Sequence, residues 1–356
     1  MQSNGIIKAS TKCTLAKHRG HFGTKTMKHI SILIPEGDVV VNGVAGPLIV
    51  FDWVNEVMRE RGEPIAYEVD LVGVKPESQL YNGRFAIRPN KMLKDIAQTD
   101  LVIVPPMSGD LAGLGAINSE AIAWVRAMHA GGAEVGSLCT GAFMLAATGL
   151  VDGKACTTHW SVAPWFRSTF PQVDLHEERI ITEVNGIYSS GGAESLFNLL
   201  LYWLEKFNGR EIALQAAKRY EIDIDRDSQA PFLVFQGLKG HGDETVLKAQ
   251  RILEDKYAEV IGIDELAADL ALSPRNFNRR FKDAAGLAPL AYLQRVRIEV
   301  AKKQLERGVQ VNDAMYTCGY SDHKTFRNIF KRVTSMSPRD YRERYTKVTA
   351  EAVRMG

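Results

Sequence analysis

Cysteine is scarce in this chain. There are four in 356 residues, Cys13, Cys139, Cys156 and Cys318, and none stands in a CxxC spacing. That excludes a disulfide framework and a zinc cluster as the source of stability. Long apolar runs are also missing. The longest candidate, Ser195 to Trp203, is a short helical patch, well under the ~18 residues a membrane span needs. The first 26 residues hold no acid. They carry Lys8, Lys12, Lys17, Arg19 and Lys25 with no sustained apolar stretch, which argues against a secretory signal. Residues 1–26 are read as a disordered leader. With no export signal, a cytoplasmic location with reduced thiols is expected, and no membrane partner.

What is present is a soluble-protein composition, 45% hydrophobic and 24% charged. At ~150 residues per domain, a chain of this length is expected to hold two. Charge divides it. Residues 27–242 contain 18 Lys+Arg and 26 Asp+Glu, 18 − 26 = −8; residues 273–345 contain 16 and 7, 16 − 7 = +9. A basic block behind an acidic body points to a polyanionic partner for that block. The expected division is 27–225 for an N-terminal domain, 226–243 for a linker and 244–347 for a second domain. The linker's Gln229-Ala230-Pro231 and Gly237…Gly240-His241-Gly242 are expected to permit motion.

The basic block repeats. At an offset of 49, Phe277 falls on Phe326, Phe281 on Phe330, Lys282 on Lys331, Pro289 on Pro338, Tyr292 on Tyr341 and Arg295 on Arg344. Upstream, the same offset places Asp264 on Asp313 and Leu266 on Met315. Such a repeat implies one supersecondary unit used twice, and the unit reads as helix, turn, helix. Ser273 is suited to cap a helix that Pro274 begins. In the second copy Gly319 makes the turn and Ser321 or Asp322 caps. The Phe pairs, four apart, share a buried face. The outer face then carries Arg275, Asn276, Asn278, Arg279 and Lys282 in one copy, and His323, Lys324, Thr325, Arg327, Asn328 and Lys331 in the other. A helix fits the major groove. Arg and Lys pair with guanine and Asn with adenine, while Lys282, Lys331, Arg332 and Arg339 are better placed for phosphates. Pro289 to Arg307 reads as a stiff amphipathic spacer helix between the two readers. These residues are the expected contacts to double-stranded DNA.

In front of the block, strand and helix patterns alternate. Strands are expected at 29–35, 66–74, 101–106 and 134–138, with a strand or hairpin at 180–190 around Asn185-Gly186. Helices are expected from Ala45 to Arg61, from Ser119 (as cap) to Ala130, from Thr140 to Thr148 and from Ala193 to Phe207. This is an α/β pattern with a mostly parallel sheet and helices on both faces, where ligands bind at the carboxyl ends of strands. Two junctions lie there. Cys139 stands between a strand and a helix, as in a nucleophile elbow, where a helix N-terminus would lower its pKa and expose the sulfur. Ser190-Gly191-Gly192 lies between another strand and helix and would offer N–H groups to an anion.

Two resemblances follow from these residues. The runs Leu266-Ala267-Ala268…Ser273-Pro274-Arg275…Arg279-Arg280-Phe281-Lys282…Pro289…Tyr292 and Cys318-Gly319-Tyr320-Ser321-Asp322…Phe326…Phe330-Lys331…Ser337-Pro338…Tyr341 resemble the AraC/XylS transcription-regulator signature over roughly 245–345. Two positions depart from it. Tyr316 stands where the family has a small residue between the helices, and Leu270-Ala271 replaces the turn glycine; both are expected to loosen packing. Over 28–235, Ala45-Gly46-Pro47, Cys139-Thr140-Gly141-Ala142-Phe143, Thr157-Thr158-His159-Trp160, Ser190-Gly191-Gly192 and Gln229-Ala230-Pro231-Phe232 resemble the glutamine-amidotransferase-like, PfpI-type domain of the GlxA-like regulator group, with its flavodoxin-like fold.

Active relatives of that domain carry His after the cysteine and a Glu past the first strand. Here Thr140 and Asn42 stand there, Glu36 falls a turn too early, and His176-Glu177-Glu178 lies in a charged surface run. No catalytic residue is therefore assigned, and Cys139 is a degenerate candidate. A sensory pocket is expected from Cys139, Thr140, His159, Trp160, Gly191, Gly192 and Asn42. The alternative is a cysteine hydrolase or amidase fused to a DNA anchor. The resemblance implies a small nitrogen-containing effector such as an amino acid, carnitine or a betaine, with Trp160 stacking on a cationic head group. It also implies RNA polymerase as a partner and a homodimer. No cofactor and no metal are expected.

Overall fold

The computed structural model describes residues 27–346 apart from positions 193, 225, 227, 236 and 238. The leader expected at 1–26 lies outside the described residues. Strands in chain order are β1 (Lys28–Ile34), β2 (Asp38–Val39), β3 (Tyr67–Gly73), β4 (Ser78–Leu80), β5 (Phe85–Ile87), β6 (Lys91–Met92), β7 (Leu101–Val104), β8 (Met107–Ser108), β9 (Glu134–Ser137), β10 (Ala155–Cys156), β11 (Asp174–Leu175), β12 (Ile181–Val184) and β13 (Ile187–Ser190). Helices are α1 (Asn42–Glu60), α2 (Leu114–Ile117), α3 (Ser119–Ala130), α4 (Ala142–Ala147), α5 (Ala163–Thr169), α6 (Ser195–Asn208), α7 (Arg210–Arg219), α8 (Glu244–Asp255), α9 (Ile263–Asp269), α10 (Pro274–Ala285), α11 (Pro289–Glu306), α12 (Val311–Thr317), α13 (His323–Thr334) and α14 (Pro338–Tyr345). The chain divides into two units. One runs to His159 and resumes at Phe166; the other comprises Trp160–Trp165 and the residues from Ser228 on.

The first unit is built on a seven-stranded sheet in the order β12-β13-β9-β7-β1-β3-β6, parallel except for the β12–β13 hairpin. Its central strands are apolar on both faces, and Leu101–Val104 are all fully buried, as a parallel strand covered by helices must be. Gly136 in β9 makes room for α6, since a Cβ there would lie 2.3 Å from the Trp203 ring. Asn55 in α1 is buried and donates to the Tyr67 carbonyl at 2.7 Å while accepting from the Ala66 and Tyr67 amides at 3.0 Å. One side chain thus pins α1 to β3. Ser119, expected as a cap, is the first helical residue of α3. Asn118 occupies the cap position, but its amide binds the Glu36 backbone instead, at 2.7 and 2.9 Å. It tethers the loop after β1.

The second unit is helical and has two cores joined by α11. One gathers Val246, Leu253, Leu266, Phe277, Phe281, Tyr292 and Leu293; the other gathers Ile298, Leu305, Met315, Phe326, Phe330 and Tyr341. The Phe pairs meet edge-on or tilted, Phe277–Phe281 at 5.6 Å and Phe326–Phe330 at 5.7 Å between centroids. In each core a tyrosine closes the set, Tyr292 at 5.4 Å from Phe281 and Tyr341 at 5.5 Å from Phe330. The N-terminal half of α11 belongs to the first core and its C-terminal half to the second, so the spacer is also a structural member of both.

The stretch expected as a free linker is seated on this unit from Ser228 to Phe235. Gln229 and Ala230 are buried, and Ser228 bonds Ser335 at 3.1 Å. The Leu233 carbonyl accepts from Lys302, and Phe235 lies edge-on to Tyr292 at 5.0 Å. The polar composition of the stretch concealed these anchors. Among the described residues no helix is long and apolar enough to cross a membrane.

Candidate functional site

In the first unit, four loops leave the carboxyl ends of parallel strands and converge. Cys139–Gly141 form a single tight turn after β9, and α4 starts only at Ala142. Cys139 has φ +53°, the left-handed region that costs a non-glycine residue ~1–3 kcal/mol. The surroundings enforce it. The Cys139 amide donates to the Ser190 hydroxyl at 3.3 Å, and its carbonyl accepts from Thr158 at 3.0 Å. Gly141 packs on the preceding loop so closely that a Cβ would lie 2.5 Å from the Pro105 carbonyl oxygen. An elbow is therefore formed as the spacing predicts. Its chemistry differs from the prediction. The thiol is buried, at 7% exposure, and burial pushes its pKa up to about 11 against weaker opposing hydrogen bonds from Thr140. The six-residue α4 does not offset desolvation.

The residue after the cysteine supplies no base. The Thr140 hydroxyl donates to the Met107 carbonyl at 2.6 Å and accepts from the Met107 amide at 2.9 Å, so the backbone occupies it in both directions. Burial holds the His159 imidazole below its ordinary pKa and so favours its neutral form, the form that can accept a proton. Asn42 is exposed at the start of α1, in a loop tied to Pro106 by the Val40 amide at 2.9 Å. Glu36 is engaged by Lys75 at 2.5 Å. His176 sits between Asp174 and Glu178 at 3.0 and 3.3 Å, beside the separate β10–β11 pair, as a surface run. Gly191 does not offer its amide to an anion as expected, because that amide donates to the Ile180 carbonyl at 2.9 Å; the Gly192 carbonyl accepts from Ser195 at 2.7 Å. Trp160 groups with the other unit.

The sequence reading missed a set of buried hydroxyls. Thr157, Thr158, Thr182, Ser189 and Ser190 are all nearly or fully buried. The Thr157 amide donates to Ser189 at 2.7 Å, and Ser189 bonds Thr182 at 2.6 Å. They fix the strand ends beside the elbow. The only signal was the paired spelling Thr-Thr and Ser-Ser at those ends. Among the described residues no group of three or more His, Cys, Asp or Glu side chains is placed to hold a metal.

In the second unit, Ser273 caps α10 by accepting from the Asn276 amide at 3.4 Å, and Asp322 caps α13 by accepting from the Thr325 amide at 2.7 Å. Every residue expected on the outer faces is exposed: Arg275, Asn276, Asn278, Arg279 and Lys282 on α10, and His323, Lys324, Thr325, Arg327, Asn328 and Lys331 on α13. The two faces differ in readiness. Arg279 is held by Asp283 at 3.3 Å and by Asn276 at 3.2 Å, and Asn278 donates to the Pro274 carbonyl at 3.0 Å. Arg332 is taken up by Gln294 at 2.6 Å.

The repeat also has a different register from the one expected upstream. α10 and α13 are offset by 49, but α9 and α12 begin at Ile263 and Val311, an offset of 48. The buried pairs agree, Leu266-Ala267 matching Ala314-Met315, so Leu266 corresponds to Ala314 and not to Met315. The second turn holds one extra residue. Ala271, with φ +56°, is then the counterpart of Gly319, with φ +83°. Tyr316 corresponds to the exposed Ala268. It is 58% exposed and meets His323 edge-on at 6.3 Å, so it does not crowd the helix pair as expected.

Two helix-turn-helix units with exposed polar and cationic faces, behind a mostly parallel α/β domain, define a DNA-binding regulator with an attached sensory-type domain. Residues 35–206 match the DJ-1/PfpI family and residues 266–344 a helix-turn-helix domain. The chain is 24% identical to the HTH-type transcriptional regulator GbdR of Pseudomonas aeruginosa over 72% of its own length and 70% of the relative's. It is 25% identical to the HTH-type transcriptional regulator GlxA of Rhizobium meliloti (60% and 66%) and 24% identical to CdhR of Pseudomonas aeruginosa (67% and 74%). A solved AraC family transcriptional regulator from Pseudomonas putida superposes at a TM-score of 0.46 and 14% identity, over 55% of this chain and all of that one. The chain is an AraC-family helix-turn-helix regulator with an N-terminal DJ-1/PfpI domain.

Proposed function

We propose that this regulator reads specific DNA sequences and that its DJ-1/PfpI domain binds a small nitrogen-containing metabolite without transforming it. The observation that carries this reading is the elbow. Cys139 keeps the strained backbone of a nucleophile, yet its thiol is buried with a pKa near 11, and Thr140 stands where a base is needed, with its hydroxyl bonded to backbone. A nucleophilic cysteine must reach its thiolate, through an adjacent base or a lowered pKa; the buried sulfur and the backbone-bound Thr140 hydroxyl favour recognition over chemistry. The carboxyl ends of the parallel strands, where these residues gather, are where such sheets bind ligands. Cys139, Thr140, His159, Gly191, Gly192 and Asn42 are its proposed lining. Occupancy that differs between two arrangements of the protein shifts the population competent for DNA. A cytoplasmic homodimer acting with RNA polymerase completes the reading, since paired sites on DNA favour a two-fold assembly.

A thermal-shift screen of the full chain against amino acids, carnitine and betaines tests it. A ligand at 100 times its Kd stabilises by ~2.7 kcal/mol, a shift of several degrees. Stabilisation that Cys139→Ala or His159→Ala removes is expected. No shift with any compound, or an amidase activity that Cys139→Ala abolishes, overturns the sensory assignment.

A further inference from the structure

The two helix-turn-helix units are unequal in charge where DNA backbone would pass. A groove of about 700 Å³ lies among the start of α12, α13 and the start of α14. Arg327, Lys331, Arg339 and Arg342 line it, with Glu343 as its carboxylate. Arg339 is paired with Glu343 at 2.8 Å, both well exposed, and Arg342 is braced on the Gly308 carbonyl at 3.3 Å. Arg327 and Lys331 stand one turn apart on the exposed face of α13. The local balance is four cations to one anion, 4 − 1 = +3.

The corresponding positions of the first copy are Asn278, Lys282, Leu290 and Leu293, a single cation. Leu293 is buried in the first core. Asn312, at the rim of the groove, corresponds to Asp264 in the corrected register, so the first copy also carries an acid there. That outer face also carries Arg275 and Arg279, the latter the counterpart of the groove's Asn328 and already bonded to Asp283. A repeat that preserves its buried residues while diverging in charge at three of the four cationic groove positions has kept its fold and changed its task.

We infer that the second helix-turn-helix unit is the electrostatic anchor of the protein. The groove formed by α12, α13 and α14 holds the phosphate backbone of double-stranded DNA through contacts that do not themselves read sequence, leaving His323, Lys324 and Thr325 at the start of α13 to reach base edges, and the first unit supplies little of that attraction. This rests on the DNA-binding reading and adds a division of labour to it. Each neutralised phosphate steepens the salt dependence of log K by about 0.9.

The test uses the full chain and a fluorescent duplex of random sequence, with anisotropy titrations at several salt concentrations. Lys331→Gln/Arg339→Gln should flatten the slope by about 1.8, two contacts at 0.9 each. Arg279→Gln/Lys282→Gln should flatten it by less than half as much. Glu343→Gln removes the groove's carboxylate and should tighten binding two- to threefold, a gain that a folding defect does not produce. Equal flattening by the two double variants, or weaker or unchanged binding by Glu343→Gln, overturns the assignment. Absence of binding by the wild-type chain to any duplex refutes the DNA-binding reading itself, which separates the two failures.

Discussion

Lys302→Met perturbs the helical unit at one atom. Lys302 and Glu299 face each other on α11 at 2.9 Å, with side chains 5% and 12% exposed. The same ammonium also donates to the Leu233 carbonyl, which holds the Ser228–Phe235 stretch against the helix. Met preserves the stem and deletes the charge. It leaves a nearly buried carboxylate without its cation and a carbonyl without its donor. Removing one partner of a buried pair costs about 3–5 kcal/mol, because the survivor remains desolvated. For a domain of roughly 100 residues this lowers the melting temperature on the order of 10–25 °C. Scanning calorimetry of the full chain reads the transition of the helical unit. Limited proteolysis should show faster cleavage around Leu233. The double substitution Glu299→Gln/Lys302→Met leaves no buried net charge and should recover about 2 kcal/mol or more. Two results refute the reasoning. Lys302→Met within about 1 kcal/mol of wild type would mean that the ion pair and the tethered carbonyl carry nothing, and a double variant less stable than the single would mean that uncompensated charge is not the cause.

Other outcomes follow from the same geometry. With the Cys139 thiol near 11 and a free thiol at ~8.5, the thiolate fraction at pH 8 is about two orders of magnitude lower in the folded chain. Peptide-resolved alkylation at pH 8 should therefore be at least that much slower than in denaturant, and comparable rates would contradict the buried, protonated thiol. The sign for stability is fixed by the raised pKa. The neutral thiol's contribution is fully present below ~8.5 and is lost as pH rises from there through about 11. Tyr316→Ala should change stability by no more than ~0.5 kcal/mol, as exposed positions do; a gain above ~1 kcal/mol in chemical denaturation would show that the ring was crowding the core. Gly141→Ala drives a Cβ toward the Pro105 carbonyl and should cost about 1–3 kcal/mol as overpacking, measurable by the same titration, whereas a neutral effect would mean that the elbow is loose.

Much of the helical unit was legible because its determinants are local. Ser273-Pro274 spells a cap and a first turn, and Phe277/Phe281 and Phe326/Phe330 fall on one helical face whatever surrounds them. The register of the second turn was not legible. An extra residue within Cys318-Gly319-Tyr320-Ser321-Asp322 leaves no mark in composition; the start of α12 at Val311 and the burial of Ala314-Met315 reveal it. In the α/β domain the apolar run Leu101–Val104 and the Asn185-Gly186 hairpin declared themselves, whereas Ala155–Cys156 and Asp174–Leu175 are too short for periodicity to register. The elbow shows the same limit. Spacing located Cys139, but ionisation depends on what covers the sulfur, and that comes from residues distant in the chain. The Ser228–Phe235 stretch read as linker because its Gln, Pro and Gly neighbours dominate, while its anchors are the Leu233 backbone carbonyl, which composition does not mark, and Phe235, an isolated apolar residue without a period.

The most direct test of a sequence-reading regulator with two recognition helices is selection by the full chain from a randomised DNA pool, followed by sequencing of the bound fraction. α11, of 18 residues, is ~27 Å long, a length suited to readers in successive major-groove turns ~34 Å apart. The expected result is enrichment of one motif with two blocks centred about one helical turn, ~10 base pairs, apart. Recovery of DNA with no enrichment over the starting pool would contradict it, leaving a chain that binds the backbone alone.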